Sequence, residues 1–117
     1  MRRLLAIAVL AGALALSACS GQSVMAPIVK NVGDLQGDTI DLRVGQVLDI
    51  DTGDLDVDSY TATVSDTSIA EFVQGRDDGS AVFNPGITAL APGTTQVVLS
   101  NEQGGIEDVV FEVHVDQ

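Results

Sequence analysis

The chain has 117 residues but only one cysteine, one histidine, no tryptophan and four other aromatics (one Tyr, three Phe). A single cysteine makes no internal disulfide, and one Cys with one His is too few ligands for a Cys/His metal centre. Any Ser-His-Asp or Cys-His catalytic arrangement would have to use His114. Alternation puts that residue on the polar side of a strand beside Glu112, with neither a pocket nor a positioned partner. Carboxylates abound, but Tyr60, Phe72, Phe83 and Phe111 are needed for a core and leave nothing to stack a sugar, which argues against glycoside cleavage. Bases are scarce as well: five against seventeen acids, for a net charge of −12. A body this acidic repels nucleic acid, so DNA and RNA are not expected partners. The expectation is a protein that is not an enzyme.

Two of the five bases are Arg2 and Arg3, and they precede an unbroken run of 13 apolar or Gly residues, 4–16. The run suits the apolar segment of a secretory leader and falls short of the roughly 20 residues a membrane span needs. Removing 1–18 takes away two bases and no acid, so −12 becomes −14. The run ends in Leu16-Ser17-Ala18-Cys19, which resembles the lipobox of bacterial lipoproteins. The resemblance implies cleavage between Ala18 and Cys19 and a diacylglyceryl thioether on Cys19. Small Ser17 and Ala18 suit a peptidase that must reach the backbone, and the Cys thiolate is the nucleophile toward the lipid donor. Two or three acyl chains anchor firmly, since each buried CH₂ contributes about 0.8 kcal/mol and one chain alone is marginal. The expected location is extracytoplasmic, lipid-anchored to the cell membrane. In a double-membrane cell, Ser20 in place of Asp implies sorting to the outer membrane. The expected organisation is a leader 1–18, a lipidated Cys and tether 19–27, and a domain 28–117; Pro27 closes a small, polar linker of extended chain.

From Pro27 onward no segment has helical period. Short Val/Ile/Thr-rich runs are separated by Gly, Asp, Asn and Pro clusters every 8–12 residues, the pattern of a β-sandwich or barrel. Strands are expected at 28–32, 39–44, 47–51, 60–65, 69–74, 81–83, 87–91, 95–100 and 109–115. Period two aims Tyr60, Ala62 and Val64, then Thr95, Val97 and Leu99, then Val109, Phe111, Val113 and Val115 at the core. Pro92-Gly93 reads as a type II turn and Gly104-Gly105 as a hairpin turn. The expected fold is all-β, a sandwich of two antiparallel sheets preceded by a helical leader.

Ser65-Asp66-Thr67-Ser68-Ile69-Ala70 and the later Gly86-Ile87-Thr88-Ala89-Leu90-Ala91-Pro92-Gly93-Thr94-Thr95-Gln96-Val97 resemble the group 2 bacterial immunoglobulin-like domain over about residues 38–115. The resemblance implies an Ig-like sandwich in which Leu90 plugs the core and none of the motif residues carries chemistry. It also implies a structural or partner-binding role at the cell envelope, the partner being a surface protein or polysaccharide. Two stretches depart from that family's pattern. One is an acidic run with Asp49, Asp51, Asp54, Asp56 and Asp58; the other is an insertion over 75–85. The acidic run fits two readings, a solvated sheet edge or a Ca²⁺ site with carboxylate ligands. It is not an EF-hand, because counting from Asp54 puts Ser59 at the Gly position and Ser65 at the last acid. Arg76-Asp77-Asp78-Gly79-Ser80 reads as an exposed turn. The rival reading is a chagasin-type inhibitor of cysteine proteases, also Ig-like. That family carries an Asn-Pro-Thr-Thr-Gly-Tyr-like loop, of which Asn84-Pro85-Gly86 keeps a fragment, while Gly53 and Tyr60 are not adjacent.

The lipid reading is checked by fractionation. A Cys19→Ala variant is expected to leave the membrane fraction, and its persistence there contradicts the anchor.

Overall fold

A computed structural model of the chain describes residues 25–117. The leader, its expected helix, Ala18 and Cys19 lie outside the described residues. The rest is an Ig-like β-sandwich. One sheet runs β1 (Ile28–Asn31), β3 (Val47–Asp51), β8 (Gly86–Ala89) and β5 (Ala70–Val73) in spatial order. The facing sheet runs β2 (Thr39–Arg43), β10 (Val109–Asp116), β9 (Gly93–Asn101) and β4 (Tyr60–Val64). A two-stranded ribbon, β6 (Arg76–Asp77) with β7 (Val82–Phe83), projects from the connection between β5 and β8.

The alternation that marks the strands also fills the core. Ile28, Leu48, Ile87 and Phe72 form one row across the first sheet. Val64, Val97 and Phe111 form a row across the second, and Thr95, Val113 and Ile40 another. Leu48, Ile87, Val97 and Val113 are fully buried between the layers. Each such side chain contributes roughly 1.5–3 kcal/mol by leaving water, which lets a domain of this size fold without a disulfide.

Five expectations are corrected, the last of them the turn at Gly93 described below. The sheets are mixed, not antiparallel: β1 pairs parallel with β3, and β10 pairs parallel with β2. Leu90 does not plug the core; it is 40% exposed, because β8 stops at Ala89 and the chain bends away there. Leu35 is the buried plug instead, carried in by the 3-10 turn Val32–Asp34. Phe83 is no core residue either; it is 44% exposed and lies under the guanidinium of Arg76 at 4.3 Å. Arg76-Asp77 forms a short strand, so the turn proper begins at Asp78.

The two motif stretches meet each other. Asp66 turns the chain from β4 to β5 by accepting the Ser68 amide and hydroxyl, and its carbonyl accepts the Ile69 and Ala70 amides. The Ile69 carbonyl then accepts the amides of Leu90 and Ala91, where the chain returns from β8 toward β9. Buried Thr95 accepts the Asp66 amide through its hydroxyl at 2.8 Å. Gly93 is left-handed, though its φ of +146° is far from the type II value, so the expected turn type is wrong while the need for Gly is right. A Cβ on Gly93 would sit 2.6 Å from Cδ1 of Ile69.

Gly93→Ala is therefore expected to lower stability by about 1–3 kcal/mol. Gly104→Ala, where a Cβ meets nothing within 4 Å, should leave the urea midpoint unchanged. Equal midpoints for the two variants would contradict this packing.

Candidate binding site at the loop end

Strand directions sort the connections into two poles. β3 ends at Asp51, β4 begins at Tyr60, β5 ends at Val73, β8 begins at Gly86, and β9 ends at Asn101. The segments 52–59, 74–85 and 102–108 thus leave the sandwich at one pole. The turn 44–46, the crossings 65–69 and 90–92, and Asp116 lie at the other.

The three loops are tied to one another. The Ser59 hydroxyl donates to the Asp56 carbonyl at 2.7 Å and accepts from the Asn101 amide at 2.8 Å. The Ser59 carbonyl accepts the Glu102 amide. The Gln74 side chain donates to the Tyr60 carbonyl at 2.7 Å. Gly75 is buried and passes so close to the 52–59 loop that a Cβ there would lie 2.2 Å from the Val57 carbonyl oxygen. Only Gly permits that approach, although its φ is not left-handed.

Each loop also closes on itself. Asp51 accepts the Gly53 amide, and buried Thr52 donates its hydroxyl to the Leu55 carbonyl. Asp78 holds the ribbon turn by accepting the amides of Ala81 and Ser80 and the Ser80 hydroxyl. These bonds, the Ala81 amide foremost, favour the charged carboxylate and hold Asp78 below its ordinary pKa of 3.8.

Between the 52–59 loop and the ribbon lies an open cleft of about 590 Å³, with Leu55, Val57 and Val82 as apolar wall and Asp56, Asp58 and Asp77 as carboxylates. The ribbon carries Asp77 opposite Val82 and Arg76 opposite Phe83, so its two faces present different chemistry. Val82 is 61% exposed.

The five carboxylates of the acidic run are not gathered. Asp49 lies on β3 and accepts from the Asn84 side chain at 2.8 Å; Asp51 serves its own turn. Asp54, Asp56 and Asp58 are exposed along the loop. Among the described residues no three His, Cys, Asp or Glu side chains converge to hold a metal ion. His114 lies toward the opposite pole, its Nδ1 2.8 Å from the Thr94 hydroxyl and its Nε2 3.2 Å from Asp116. That trio resembles a triad in composition, yet it stands on an open strand face without a substrate cavity.

Asn84-Pro85-Gly86, and both Gly53 and Tyr60, belong to the loop pole although they are scattered in sequence. That the three loops form one surface is not legible in the sequence. The acidic run and the 75–85 insertion, the two stretches that depart from the pattern the chain resembles, mark two of them.

No protein-family model and no curated protein matches the chain. In architecture the chain is similar to the crystal structure of the cysteine protease inhibitor EhICP2 from Entamoeba histolytica. The TM-score is 0.52 at 14% identity, covering 81% of this chain and 100% of that one. The solution structure of amebosin gives 0.48 at 17% identity, covering 77% and 98%. At such identities the likeness to the inhibitor is one of fold.

The Asp78 carboxylate titrates lower in the folded chain than in the unfolded one. Its support of the turn is complete above the ordinary value and drains as pH falls through the lowered one. Amide protection at Ser80 and Ala81 is expected to fade below about pH 4 in wild type and to be missing at pH 7 in Asp78→Ala. Unchanged protection in that variant contradicts the role.

Proposed function

We propose that this protein is a non-catalytic Ig-like binding module, held by lipid on Cys19 at the outer face of a bacterial membrane, that engages a protein partner through its loop pole. One observation carries the reading. Three loops scattered in sequence are tied by Ser59, Gln74, Asn101 and Gly75 into a single surface. A free loop does not need such ties; a preorganised surface does, because ordering it beforehand removes that entropy from the cost of binding. The exposed Arg76–Phe83 pair joins an Arg to an aromatic, residue types enriched at protein–protein interfaces.

A second, narrower reading is inhibition of a cysteine protease. It is favoured by the likeness to a solved cysteine protease inhibitor over that inhibitor's whole length. It is also favoured by the collection of Asn84-Pro85-Gly86, Gly53 and Tyr60 at one pole. Such a wedge would fill a protease cleft without being cut, by rigidity rather than by chemistry.

Two assays separate the readings. A photo-reactive benzoylphenylalanine in place of Val82 is expected to trap a protein partner in cells, while the same probe at Arg43, on the other pole, traps none; the reverse result overturns the loop-pole assignment. Papain titrated with the purified domain tests the narrower reading. Inhibition weakened about tenfold or more by Phe83→Ala supports it, and uninhibited papain at micromolar domain removes it.

A further inference from the structure

We infer that the loop pole is presented away from the membrane, so that its partner is met in the space beyond the bilayer and not in it. The inference rests on the lipid anchor at Cys19 proposed above and deepens that reading by stating where the partner must be.

Three observations carry it. First, the chain enters the fold at the pole opposite the loops. β1 runs parallel to β3, with Ile28 beside Leu48 and Asn31 beside Asp51, so Met25–Pro27 precede the strand at the end where β3 begins. The segment is docked there: the Gln46 side chain donates to the Ala26 carbonyl at 3.0 Å, and the Met25 methyl lies beside Gly45 of the turn 44–46. Only residues 19–24 therefore separate the lipidated cysteine from the docked segment.

Second, that leash is shorter than the body it holds. Six residues reach at most about 20 Å. The nine residues of β9 alone span roughly 26 Å from first to last Cα at ~3.3 Å per step, before the loops are added. A domain turned with its loops against the bilayer would lift its entry point beyond the reach of the leash.

Third, charge opposes the side-on geometry that length permits. Eleven of the seventeen acids lie at or next to the loop pole: two in 32–38, four in 51–59, two in the ribbon and three in 102–108. Arg76 is the one base within those loops, and Arg43 ends β2 at the entry pole. An anionic lipid surface repels the loop pole within a Debye length more than the entry pole, where Asp41, Asp66 and Asp116 stand with Arg43.

The test uses the chain from Cys19 onward, which contains every described strand, coupled through its thiol to maleimide lipid in phosphatidylcholine/phosphatidylglycerol vesicles with a dansyl-headgroup acceptor. The chain has no Trp, so single probes report place. Val44→Trp sits in the exposed turn at the entry pole, and Gly104→Trp sits in the 102–108 loop where a side chain meets nothing. Energy transfer is expected to be several-fold stronger from V44W than from G104W. Equal transfer, or stronger transfer from G104W, overturns the inference. Because the anchor is installed chemically, that failure falls on orientation alone. Failure of the lipid reading itself appears separately, as Cys19→Ala remaining in the membrane fraction of cells.

Discussion

Of the five passages the chain makes between the two sheets, two are made at one place and are bonded to each other. The chain passes from the second sheet to the first between β4 and β5, and back again between β8 and β9. Each crossing takes backbone amides out of a ladder, and a buried amide left unpaired costs about as much as a lost hydrogen bond. Here the crossings supply each other's partners. The Ile69 carbonyl receives Leu90 and Ala91, the Thr95 hydroxyl receives Asp66, and Ile69 packs onto Gly93. With that knot in place, β5 and β4 stand facing each other across the core, and the β5–β8 and β4–β9 pairings follow.

The knot also explains what could be seen in the sequence. Ser65–Ala70 and Ala89–Thr95 were recognisable because sheet-crossing turns need particular residues: an Asp that accepts nearby amides, a buried Thr, a Gly without Cβ. The long strands were legible for a related reason. In β9 and β10 alternation at period two persists for eight or nine residues and leaves one register for the buried set. The parallel pairs were not legible, since a strand's own pattern does not say which way its neighbour runs. Leu90 misled because its burial was taken from the resemblance, whereas the alternation of β8, with Ile87 and Ala89 inside, already puts it outside, and the hydrogen bond from its amide to the Ile69 carbonyl turns the chain there. Leu35 was invisible for the opposite reason, being a lone apolar residue in a Gly/Asp segment. The ribbon strands are two residues each and carry no period at all.

The two poles thus divide the work. One holds the two bonded crossings, 65–69 and 90–92, and the chain entry; the other holds the ribbon, the acidic run, the 102–108 loop and the crossings 32–38 and 52–59. The acidic run stood out as composition, but its meaning depended on neighbours distant in sequence: Gln74 and Asn101 reaching its end, and Gly75 passing beneath Val57. Those contacts turn a charged loop into one wall of a cleft.

The contacts between the two crossings hold the sheets together. Native-state hydrogen exchange in increasing denaturant measures this directly at the Leu90 and Ala91 amides, which Ile69 accepts. If the crossings hold the two sheets together, these amides exchange only through global unfolding, with the same free energy and denaturant dependence as the buried centres of β9 and β10. Exchange through a local opening, at a lower free energy and without denaturant dependence, would contradict the account.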